Sequence, residues 1–79
     1  MTGQGPNTQA AARRDAIVAF VARYTEDHGY SPALREIAAA CGIGSNAVAE
    51  FHLDRLVRDG RITRKPGIAR TYRVPAEAR

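Results

Sequence analysis

The chain has a single cysteine, Cys41, among 79 residues. That excludes a disulfide framework and any multi-cysteine zinc or iron–sulfur site. His28 and His52 do not make a metal-ligand spacing with Cys41, so no metal is expected. No apolar run approaches the roughly 18 residues that a membrane-crossing helix needs. The opening stretch Met1–Gln9 is polar and lacks the apolar centre of a secretory signal, so a cytoplasmic location is expected. Acidic residues are scarce in one place only: residues 61–79 carry Arg61, Arg64, Lys65, Arg70, Arg73 and Arg79 against Glu77 alone.

Catalytic signals are missing as well. Gly42-Ile43-Gly44-Ser45 is followed by no Gly-Lys-Ser/Thr and preceded by no strand pattern, so it reads as a helix C-cap and turn rather than a phosphate loop. Ser31 and Ser45 sit at capping positions without a base and orienting acid, and no nucleophile elbow or paired catalytic carboxylates occur. No enzyme activity, catalytic residue or cofactor is expected. Cys41 falls on the inward face of its helix, where a core thiol competes with a redox sensor.

What the chain does have is ordinary globular composition, with 44% hydrophobic and 25% charged residues, enough for one small domain with a thin core. The net charge of +4 is concentrated in the last quarter, because residues 1–30 balance and residues 31–60 are slightly acidic. A local positive field of this kind suits a polyanion, nucleic acid first.

Residues 1–9 read as a flexible lead, 10–74 as the domain and 75–79 as a tail. From about Ala10 to His28, Ile17, Phe20, Val21 and Tyr24 form one apolar helical stripe, and Gly29 stands where a left-handed residue would end the helix. Ser31-Pro32 offers an N-cap and a proline at the first position of a second helix, Pro32–Cys41, with Leu34, Ile37, Ala38 and Cys41 on one face. Gly42 ends it, Ser45 caps a third helix at about Asn46–Asp59, and Gly60 closes that one. Two helices joined by so tight a glycine-containing turn make a helix-turn-helix.

After Gly60 the pattern changes to short β-compatible runs, Arg61–Arg64 and Ala69–Val74. Between them Lys65-Pro66-Gly67-Ile68 sets Pro and Gly at the centre of a type II turn. Tyr72 and Val74 share one strand face, Thr71 and Arg73 the other. The expected fold is mainly α with a small β-hairpin: a three-helix winged helix-turn-helix. In that arrangement the third helix enters the DNA major groove and the basic hairpin lies on the phosphates.

On a helical wheel, Ala49, Leu53 and Leu56 turn inward, with His52 and Val57 at the edges. Ala47, Glu50, Phe51, Asp54 and Arg58 turn outward. This outward face is not basic, so base reading is assigned to Ser45, Asn46, Ala47, Glu50 and Phe51. Asn can pair with adenine, Glu can accept from cytosine, and Ala can touch a thymine methyl. Phosphate binding is assigned to Arg61, Arg64, Lys65, Arg70 and Arg73. Phe51 has three open roles: a thymine-methyl or sugar contact, a protein interface, or core packing.

The run Gly29-Tyr30-Ser31-Pro32-Ala33-Leu34-Arg35-Glu36-Ile37-Ala38, then Cys41-Gly42-Ile43, Ser45, His52-Leu53, Leu56, Gly60, Ile62 and Arg70 resembles the N-terminal DNA-binding domain of LexA repressors. That resemblance implies binding to duplex operator DNA and repression of transcription, with base-reading positions falling on Ser45, Ala47, Val48, Glu50 and Phe51. An asparagine that reads bases in some members is Ala47 here, with Asn46 adjacent, so operator sequence does not carry over. The usual Ser or Thr opening the second helix is Ala33. The capping box to Glu36 is therefore expected to be lost, with Ser31 capping instead. LexA repressors continue into a self-cleaving, dimerising peptidase domain, whereas this sequence ends at Arg79. A stand-alone regulator is expected, with double-stranded DNA as partner and a homodimer on a two-fold operator as a further possibility. The competing expectation is a protein-interaction module of the same fold that docks a partner through Phe51 and its acidic neighbours.

Overall fold

The computed structural model describes residues 6–76, with side chains from Gln9 onward. Three helices are present: α1 (Pro6–His28), α2 (Leu34–Ala40) and α3 (Asn46–Arg58). α1 starts four residues earlier than the apolar stripe suggests, with Pro6 as its first residue. Proline is tolerated there because the first turn has no intrahelical use for its missing N–H. The expected lead is thus helical over residues 6–9, and its first five residues lie outside the described region, as do tail residues 77–79.

Each helix contributes to one small core of Ile17, Val18 and Val21 from α1, Ile37 and Ala38 from α2, and Ala49, Leu53 and Leu56 from α3. Ile43, Ile62 and Tyr72 complete it, and Phe20, Leu34, Cys41, Val57 and Val74 pack around its margin.

The turn between α2 and α3 is built by Gly42. Its φ of +69° lets Gly42 N–H reach Ala39 O and Ile43 N–H reach Ala38 O. This is a Schellman closure, which an L side chain would strain. The closure buries Ile43 against the helices and brings Ser45 to its capping place. Gly60 closes α3 the same way, through Gly60 N–H to Val57 O and Arg61 N–H to Leu56 O.

The start of α2 differs from the expectation. Its N-cap is Ala33, and Ser31 does not cap. Half of the capping box survives, because the Glu36 carboxylate accepts from Ala33 N–H at 2.7 Å. Ser31 is instead buried and bonded to Pro32 O and to the N–H of Tyr72. With the Ser31 hydroxyl committed to Pro32 O and Tyr72 N–H, the cap falls to Ala33 and the helix begins at Leu34.

The two expected strands do not form among the described residues. A single antiparallel bridge joins Thr63 and Arg73, with reciprocal N–H···O bonds of 2.8 and 2.9 Å. The next rung toward the tip would pair Lys65 with Thr71. There the N–H of Lys65 bonds to the Thr71 hydroxyl at 2.9 Å rather than to its carbonyl, so the side chain replaces the ladder. Arg70 has a φ of +59°, a left-handed backbone that no strand accommodates. The turn itself is as expected: Ile68 N–H bonds to Lys65 O, and Gly67 has a φ of +78°.

Candidate nucleic-acid interface

α3 presents two different surfaces because its apolar residues recur at helical spacing. Ala49, Leu53 and Leu56 are fully buried, while Val48 is 43% and Phe51 64% exposed. Phe51 therefore does not pack into the core, and the core-packing role is excluded. Its ring stands edge-to-face with that of His52, with centroids 5.8 Å apart. Ser45 Oγ accepts from the N–H groups of Ala47 and Val48, which fixes the first turn of α3. Ser45, Asn46, Ala47, Val48 and Phe51 form one exposed strip along the first two turns. The resemblance had pointed to Val48, but its apolar character offered no base-reading argument from residue type alone.

The loop over residues 61–74 is held by arginines, one to each helix. Arg61 pairs with Asp15 of α1 at 2.8 Å. Arg70 pairs with Glu36 of α2 at 3.2 Å, donates to Ser31 O, and lies over the Tyr30 ring. Arg64 reaches α3, with one nitrogen 3.0 Å from Glu50 and the other bonded to Asp54. These ties are invisible in the sequence, where the partners lie ten or more residues apart and opposite charges carry no address.

Three of the five expected phosphate ligands are thus engaged with carboxylates. Lys65 and Arg73 are exposed and form no ion pair among the described residues. A groove of about 360 Å³ runs over the loop, lined by Thr63, Arg64, Lys65, Arg70, Thr71 and Arg73. Glu50 is likewise not free, since one of its oxygens is held by Arg64.

Electrostatics follow these contacts. The backbone N–H of Ala33, with Arg70 assisting against desolvation, holds the Glu36 carboxyl below its ordinary value. The Glu50 hydrogen bond foremost holds Arg64 in its charged form. Burial pushes the Cys41 thiol up, with Arg13 opposing, which disfavours the thiolate a redox sensor needs. Burial and then Arg14 and Arg13 lower the pKa of His52, whose Nδ1 is buried without a hydrogen-bond partner among the described residues.

Comparison with known proteins identifies the family. The family model described as the LexA DNA binding domain matches residues 7–71. The chain is 44% identical over 63 residues to the LexA repressor of Pseudomonas chlororaphis, covering 80% of this chain and 31% of that protein. The same coverage and 44% identity hold for the LexA repressor of Ectopseudomonas mendocina (strain ymp). The LexA repressor of Geotalea uraniireducens (strain Rf4) is 43% identical over 58 residues, 73% of this chain and 29% of that protein. The chain spans about a third of the length of these relatives. With three helices in helix-turn-helix order and a family match across nearly all of them, the chain belongs to the LexA DNA-binding domain family.

Proposed function

We propose that this chain binds double-stranded DNA in a sequence-specific manner and represses transcription. In this reading α3 enters the major groove, and the loop over residues 61–74 serves as a wing on the phosphate backbone. Asn46 pairs with an adenine edge. Glu50 accepts from a cytosine amine through the oxygen that Arg64 leaves free. Ala47, Val48 and Phe51 meet thymine methyls or sugar, and Ser45 meets a backbone phosphate at the helix start. Lys65 and Arg73 contact phosphates directly, while Arg61, Arg64 and Arg70 add to the field.

The observation that carries this reading is the exposed strip Ser45–Ala47, Val48 and Phe51 on a firmly capped helix, flanked by a loop with two cations that form no ion pair among the described residues. A strip of that kind has no use in the core, and half-site recognition by one small domain favours a homodimer on a two-fold operator. Selection of bound duplexes from a random pool tests it directly. Enrichment of a defined, inverted half-site supports the reading. Absence of binding to any duplex at low salt rejects it in favour of a protein partner docking at Phe51.

A further inference from the structure

We infer that Arg64 is a positioning residue for DNA binding: it masks the acidic flank of α3 and fixes the loop against that helix, and it does not itself hold phosphate. This role rests on the proposed DNA-binding function. Arg64 has one guanidinium nitrogen on Glu50 and the other on Asp54, and its side chain is only 22% exposed. Each terminal nitrogen thus directs one of its two N–H donors at an α3 carboxylate, which turns the guanidinium fork toward the helix and leaves fewer donors aligned for a phosphate. Glu50 and Asp54 lie one helical turn apart on the flank that faces the loop, and each is nearly half exposed. Neither has another ion-pair partner among the described residues.

Charge makes this contact consequential. Two bare carboxylates beside the base-reading strip would confront the phosphates of any duplex that α3 enters, and like charges brought together at an interface are strongly disfavoured. Arg64 offsets one of the two negative charges and shares that positive charge between both carboxylates. It also spans from the loop to two successive turns of α3, which sets the angle between the loop and the helix. Lys65, the neighbour in sequence, is left facing outward as the cation available to DNA.

The test compares four forms of the full chain, wild type, R64Q, E50Q/D54N and R64Q/E50Q/D54N, on a labelled 20-base-pair duplex of random sequence. Fluorescence anisotropy is read across a salt series, and circular dichroism melts confirm that each form is folded. R64Q is expected to weaken binding on the order of tenfold at low salt with its salt slope unchanged, and the triple variant is expected to regain only the part of that loss caused by the bared carboxylates. E50Q/D54N alone keeps side-chain oxygens that accept from Arg64 and is expected to bind random duplex at least as tightly as wild type with an unchanged salt slope, because neutral amides replace the two carboxylates that face the phosphates. A salt slope for R64Q shallower than wild type by about 0.9 overturns the inference and makes Arg64 a phosphate ligand. Failure of the wild type itself to bind at low salt removes the functional reading, and this role with it, so the two failures are told apart by the first titration.

Discussion

The Ser31 hydroxyl accepts a hydrogen bond from the backbone N–H of Tyr72 at 3.0 Å and donates one to Pro32 O at 2.8 Å. One buried side chain thus joins the entrance of α2 to the returning arm of the loop. Ser31→Ala would leave the Tyr72 N–H buried and unsatisfied, at a cost of about 1–3 kcal/mol. Urea unfolding checks this. Because the loop is anchored here, the same variant is expected to lose DNA affinity as well.

Phe51 and Leu53 are two residues apart and should behave oppositely. Leu53 is fully buried and Phe51 is 64% exposed, so Leu53→Ala is expected to cost about 2–5 kcal/mol of stability. Phe51→Ala should change stability by no more than about 0.5 kcal/mol while weakening DNA binding. Thermal melts and anisotropy titrations on both variants separate the two roles.

Lys65 and Arg73 carry the phosphate contacts in the proposed complex. Replacing both with Gln should weaken binding to all sequences alike. The slope of log K against log salt should become shallower by about 1.8, or about 0.9 for each contact removed. A slope unchanged by the double substitution would rule these two out as ligands.

Burial depresses the pKa of His52 below its ordinary 6.5, so on the acid side of that value the unfolded chain takes up a proton that the folded chain resists. Stability is expected to fall as pH drops below about 6.5 and to level off once the folded histidine is itself protonated. His52→Leu removes the orphaned Nδ1 and should abolish this fall. At neutral pH it should be neutral or stabilising by about 1 kcal/mol. Urea unfolding from pH 7.5 to pH 5 measures both effects.

Glu36 has the opposite sign of dependence on its own charge. Its folded pKa lies below the ordinary 4.5 because Ala33 N–H and Arg70 favour the carboxylate. Its contribution is fully present above about 4.5 and disappears as pH falls through the lower folded value. Glu36→Gln keeps an oxygen for the Ala33 N–H but has no proton to gain, so its stability should be flatter with pH in that acid range.

The parts of the fold governed by local chemistry were legible in the sequence. Ser45 caps α3, Gly42 and Gly60 close their helices, and Pro66-Gly67 makes the turn, because each depends on the conformational preferences of residues near it. Ala49, Leu53 and Leu56 follow from period alone, whereas Val18 joins the core from just outside the apolar stripe. Ser31 misled because Ser-Pro resembles a cap and proline when the rest of the molecule is ignored, and its real partner is 41 residues away. The basic run misled for the same reason: charge density revealed a positive segment, but not that Asp15, Glu36, Glu50 and Asp54 would claim three of its arginines. Thr71 gives no local hint that its hydroxyl will displace a strand bond.

A loop closed by one backbone rung and three guanidinium tethers is mechanically unlike a β-ribbon. Its tip, between Lys65 and Thr71, can tilt by exchanging ion pairs on its flanks without tearing a hydrogen-bonded ladder, while the Thr63–Arg73 bridge and the Tyr72–Ser31 bond stay shut. In amide exchange this appears as protected N–H groups at Ile62, Thr63, Tyr72 and Arg73 with faster exchange toward the exposed tip, and in the proposed complex it would let one rigid helical body adapt to duplexes of different groove width.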